Sequence, residues 1–158
     1  MAKKYGIPFL LESQQNRYPV LLIDELVELD PGKSVVAIKN YTYNEWFFPG
    51  HFEGNPSVPG FVQLESLAQS FIMTFLSLPE HKGKPTAFSK LNNVNFTRKI
   101  VPGESLLIRA NLQSFKFGVA SGTAEGYVDG ELACRADLTV VLPDVISQYL
   151  PKSNQAQP

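Results

Sequence analysis

The feature that most constrains this chain is a change of periodicity at Gly60. From there Phe61, Leu64, Leu67, Ala68, Phe71, Ile72 and Phe75 recur at threes and fours, the stripe of a buried or nearly buried helix. Pro79, just after Leu78, ends it. Everything downstream reads as strands. Residues 87–96 form one, 105–117 (SLLIRANLQSFKF) a second in near alternation, and 119–128 and 131–142 two more. The last two flank Asp129-Gly130, a strong two-residue hairpin signal. Upstream, the apolar run VLLIDELV at 20–27 is closed by the turn residues DPGK at 30–33, and 34–42 alternates as a further strand. One long helix followed by an antiparallel meander predicts an α+β domain whose sheet wraps the helix. Such a sheet leaves open edges, for which sheet-to-sheet dimerisation is a natural remedy.

The bulk properties narrow the function classes. A chain of 158 residues, 44% hydrophobic and 18% charged, fits a single globular domain. We place its body at 15–142 and a tail at 143–158, whose end, LPKSNQAQP, reads as frayed. A net charge of -1 supplies no general pull toward nucleic acid or an anionic bilayer. The single Cys134 cannot form an intramolecular disulfide, and with two histidines it makes a poor metal-ligand set. No run approaches the roughly 18 to 20 apolar residues of a membrane span. The opening apolar run is short and broken by Pro8, unlike a secretory signal. A soluble cytoplasmic protein is expected.

The chemistry is concentrated between residues 49 and 69, PGHFEGNPSVPGFVQLESLAQ. His51 sits among Gly50, Gly54, Pro56, Pro59 and Gly60, a loop of pinned shape in which an imidazole can be held as a base. Pro59-Gly60 opens the helix, so its first backbone N–H groups are a ready donor set for a carbonyl that gains negative charge. Glu65 lies on an otherwise apolar helix, where burial favours its protonated form and a role as proton donor. Gln69, one turn on, is spaced to hydrogen-bond it. Each feature alone has a bland explanation: a packing histidine, an ordinary helix start, an exposed wedge position. Together they suit proton abstraction α to a thioester with loss of a β-hydroxyl, although a general acid/base hydrolase uses similar parts.

The string GHFEGNPSVPGFVQLESLAQ resembles the dehydratase family that removes water from 3-hydroxyacyl chains on acyl carrier protein in bacterial fatty-acid synthesis. That family carries G-H-F-P-G-x-P-x-x-P-G-x-x-x-x-E-x-x-A-Q. The likeness extends upstream through RYPVLLID at 17–24, PGK at 31–33 and Lys39-Asn40, and downstream through Phe96, Arg98 and VPGE at 101–104. The resemblance implies a hotdog fold, an antiparallel sheet wrapped around one long central helix. It implies His51 as the base that takes the α-proton and Glu65 as the acid that protonates the departing hydroxyl. Gly60, with Phe61 beside it, matches the oxyanion and substrate-binding position. The Ser57 carbonyl matches the group that orients the histidine, and Gln69 the one that supports the acid. It further implies sites shared across a homodimer, with trimers of dimers common, an apolar acyl tunnel beside the helix, and no metal or organic cofactor. Glutamate at 65, rather than aspartate, favours the plain dehydratase branch over the isomerising one.

Several positions depart from the family pattern. Glu53 stands where proline is usual, Asn55 where arginine is, and Asn16 where histidine precedes RYP; 92–99 reads NNVNFTRK in place of a more basic run. The pair His51 and Glu65 is intact, so these changes bear on carrier docking and substrate choice, leaving Arg98, Lys99, Arg109 and Lys116 as basic candidates. A thioesterase on the same fold and a non-catalytic acyl-binding paralogue are the alternatives. A nucleotide site has no support, since G-x-G-x-x-G and phosphate-loop patterns are absent.

Overall fold

The computed structural model describes residues 5–150. The elements run α1 (Ile7–Ser13), β1 (Glu25–Asp30), β2 (Ser34–Asn40), α2 (Gly60–Leu76), β3 (Ala87–Phe96), β4 (Ser105–Lys116), β5 (Val119–Val128), β6 (Glu131–Val141) and α3 (Pro143–Ile146). All pairings are antiparallel in one six-stranded sheet of order β1-β2-β4-β5-β6-β3.

Alternation decides which sheet face is covered. Along β5 every second residue is buried, from Ala120 to Val128, and these positions face α2, which packs over β2, β4, β5 and β6. The helix lies close because β5 is small where they meet. A Cβ on Gly122 would stand 2.7 Å from the Phe71 ring and 2.0 Å from the Asn111 carbonyl. Phe71, Met73, Phe75 and Leu76 are fully buried or nearly so on the helix, and Phe75 stacks on Phe115. Asp129 and Gly130 both take positive φ, 50° and 82°, the geometry a two-residue hairpin between right-twisted strands requires.

The structure adds three local details. Strand β1 begins only at Glu25, because in the first half of the 20–27 apolar run Val20 and Leu22 hydrogen-bond the Gln69 side chain instead of a neighbouring strand. Residues 7–13 form a helix despite Pro8, which occupies its first turn, where the missing N–H is not needed. The expected tail begins with α3, docked so closely that a Cβ on Gly118 would meet the Ile146 nitrogen at 2.6 Å. The Phe117 and Tyr149 rings meet edge to face at 4.9 Å. Of the frayed end expected at 150–158, all but Leu150 lies outside the described residues.

Among the described residues β3 is a sheet edge paired only with β6. It is exposed along almost its whole length, including Phe88, Leu91 and Phe96.

Candidate active site

The loop between β2 and α2 is anchored at both ends. The ammonium of Lys39, itself buried, sits 2.6 Å from the Glu45 carboxylate and 3.6 Å from Asp24, which ties the start of the loop to the sheet. At the far end Val58 N–H donates to the Ile100 carbonyl at 2.9 Å. Between them the chain turns through a short 3-10 segment, Phe48–Gly50, and delivers His51. Ser57 N–H donates to the His51 carbonyl at 2.8 Å, closing a tight loop.

The imidazole is oriented by the same residue. His51 Nδ1 lies 2.9 Å from the Ser57 carbonyl oxygen, with Ser57 Oγ at 3.3 Å. A carbonyl oxygen only accepts, so Nδ1 carries the proton in this bond, and in the neutral ring the lone pair is then on Nε2. The ring stacks on Phe52 at 4.2 Å.

Glu65 and Gln69 meet as their spacing predicts: Gln69 Nε2 donates to Glu65 Oε1 at 2.8 Å. The structure adds what holds Gln69. Its Oε1 accepts the Leu22 N–H at 2.8 Å and its Nε2 also donates to the Val20 carbonyl at 2.7 Å. A backbone N–H on one side and a carbonyl on the other leave the amide a single orientation, with its nitrogen toward the acid. The Glu65 carboxyl borders a cavity of about 100 Å³ with Asn16, Ala68, Ile72, Thr86, Phe88 and Val140. Burial there holds the carboxyl above the ordinary carboxylate range, the Gln69 hydrogen bond pulling partly the other way.

Gly60 begins α2 with the Phe96 ring against it: a Cβ there would lie 3.1 Å from Phe96. Gly60 and Ser57 border a different cavity, described below, and His51 is not among the residues lining the one beside Glu65. Phe61 points outward, 64% exposed, near the Trp46 ring. Among the nearby aromatic residues, Phe88 reaches the Glu65 cavity, whereas Phe71 and Phe75 fill the core.

The basic candidates separate. Arg98 is already bound by both oxygens of Glu104 and by Glu131, and Arg109 lies over the Tyr127 ring. Lys99 donates to Asn55 Oδ1 beside the His51 loop. No residue-type pattern could have shown that Arg98 is committed, because its partners lie 6 and 33 positions away. Among the described residues no group of three or more His, Cys, Asp or Glu side chains is placed to hold a metal ion, and no helix is long and apolar enough to cross a membrane.

Solved structures share this fold at low identity. The dehydratase heterocomplex ApeI:P of Xenorhabdus doucetiae superposes with a TM-score of 0.73 at 15% identity, covering 90% of this chain and 97% of that one. Zebra fish thioesterase superfamily member 2 does so with a TM-score of 0.63 at 16% identity, covering 81% and 87%. These likenesses establish the hotdog architecture alone. Sequence relatives are much nearer. The 3-hydroxyacyl-[acyl-carrier-protein] dehydratase FabZ of Acetivibrio thermocellus is 42% identical over 129 residues, 82% of this chain and 88% of its own length. The protein of the same name from Ligilactobacillus salivarius is 44% identical over 127 residues, 80% and 91% of the two chains. The family model described as a FabA-like domain matches residues 15–137. With its anchored histidine loop and clamped glutamate, the chain belongs to the FabA-like family, among its 3-hydroxyacyl-[acyl-carrier-protein] dehydratases of the FabZ type.

Proposed function

We infer that this protein dehydrates 3-hydroxyacyl thioesters presented by acyl carrier protein to trans-2-enoyl thioesters, in fatty-acid biosynthesis. The observation that carries the reading is the clamped, burial-perturbed Glu65 in a chain more than two-fifths identical to such dehydratases. His51 Nε2 takes the proton from Cα. The electron pair moves toward the thioester carbonyl, which the N–H at Gly60 polarises. The Cα–Cβ double bond forms as the Cβ–O bond breaks, and Glu65 gives its proton to the departing hydroxyl, releasing water. The imidazolium and the carboxylate left behind reset by exchanging a proton through solvent.

The acting form is a homodimer. The exposed, apolar edge of β3 favours pairing with a second copy, since a ten-residue uncovered edge strand invites association. The absence of His51 from the lining of the Glu65 cavity supports a site completed by the partner. The test is to incubate the protein with a 3-hydroxyacyl thioester and follow both enoyl absorbance and free thiol. Enoyl product without thiol is expected, with turnover falling about 10²-fold or more in His51→Ala. Equal activity of His51→Ala and wild type, or thiol release in place of enoyl product, refutes the assignment.

A further inference from the structure

The cavity beside the first turn of α2 has a volume of about 400 Å³ and is bordered by Ser57, Gly60, Gln63, Phe96, Arg98 and Lys99. Gln63 is 4% exposed. Its Nε2 donates to the Val58 carbonyl at 3.0 Å, and because that oxygen only accepts, the amide has one orientation. The remaining atom, Oε1, is buried and has no hydrogen-bond partner. Buried side-chain oxygens are nearly always satisfied, so an orphan on a residue that lines a cavity calls for an incoming donor.

We propose that Gln63 is a substrate-binding residue for the thiol half of the substrate, its Oε1 accepting the N–H of the first amide in the arm that carries the acyl chain. The inference rests on the dehydratase reading above. The carrier presents its acyl group on a pantetheine-type thiol, in which an ethylene group separates sulfur from an amide. That amide nitrogen lies four bonds beyond the thioester carbon, about 5 Å away when extended. Gly60 and Gln63 stand three residues apart on α2, and such pairs are about 5–6 Å apart on a helix face. A carbonyl held at the Gly60 N–H therefore puts the amide N–H within reach of Gln63. The acyl half's own donor, the β-hydroxyl, is directed to Glu65 in the proposed mechanism, which leaves the arm amide as the donor to be met here. Arg98 is neutralised by Glu104 and Glu131, so Lys99 is the cation at this cavity suited to the anionic end of the arm.

The test compares two 3-hydroxyacyl thioesters, one of N-acetylcysteamine and one of 2-acetoxyethanethiol, identical except that oxygen replaces the amide N–H. Wild type is expected to favour the amide ester at least about tenfold in kcat/KM, since a buried acceptor left unpaired discriminates against the isostere. Gln63→Leu and Gln63→Met are each expected to bring the ratio close to one, mainly by raising KM for the amide ester, with the pH–rate profile in place. Equal use of both esters by wild type overturns the proposal whether or not either variant folds. So does a folded variant that keeps the wild-type ratio. Failure of wild type to turn over either ester counts instead against the dehydratase reading itself.

Discussion

Replacing Gln69 by leucine tests the clamp that connects the acid to the fold. The change keeps roughly the same volume and removes three hydrogen bonds at once, to Leu22 N–H, the Val20 carbonyl and Glu65 Oε1. Leu22 is 4% exposed, so its N–H is left without a partner or water, which costs about 1–3 kcal/mol. Adding the weaker loss at Val20, whose residue is half exposed, gives a destabilisation of about 2–4 kcal/mol. For a domain of this size that lowers Tm by about 5–15 °C. The second consequence is electrostatic. Gln69 lowers the Glu65 pKa while burial raises it, so removing the donor moves that pKa further up. Since the proposed mechanism has Glu65 act in its protonated form, the alkaline limb of the kcat profile is expected to move to higher pH, even as kcat itself drops about 10-fold or more through lost orientation. Thermal unfolding and a pH series of enoyl formation measure both effects. A Tm within about a degree of wild type refutes the hydrogen-bond geometry. A lowered Tm with the alkaline limb unmoved refutes the coupling to the acid and leaves Gln69 a purely structural clamp.

Two further outcomes follow from the same site. Because the folded-state pKa of Glu65 lies above its ordinary value of 4.5, folding favours the protonated carboxyl. That stability is fully present below the ordinary value and is lost as pH rises through the raised one. Glu65→Gln is accordingly expected to lose activity about 10²-fold yet unfold at a higher temperature than wild type at mildly alkaline pH, the gain shrinking as pH falls from the raised value to the ordinary one. An equal Tm difference at all pH values contradicts this. Separately, mixing and reassembling inactive His51→Ala and Glu65→Gln chains should restore about a quarter of wild-type activity, since half the dimers are mixed and each contains one intact shared site. Recovery indistinguishable from zero, with subunit exchange demonstrated, shows that each site is built within one chain.

Local pattern carried much of this protein, because local pattern was enough to choose each element. The threefold and fourfold spacing from Phe61 to Phe75 defines α2, which ends at Leu76. The Asp129-Gly130 pair places the hairpin to the residue, β5 ending at Val128 and β6 starting at Glu131, since both turn positions need φ that a short polar residue and glycine tolerate. The Glu65–Gln69 bond follows from helical spacing. The family string then named the chemistry.

What the sequence could not say concerns partners far apart along the chain. The orientation of Gln69 depends on backbone groups 47 and 49 residues upstream. The commitment of Arg98 to Glu104 and Glu131, which leaves Lys99 as the cation beside the His51 loop, depends on how β6 is laid against the segment after β3. That Gln63, which lines a cavity, has an unsatisfied oxygen emerges only once α2 is seated against the loop carrying Val58. Residue type and spacing determine which element forms and which face is apolar; hydrogen-bond complementarity between distant segments decides which polar groups are used up in building the fold and which remain for a substrate.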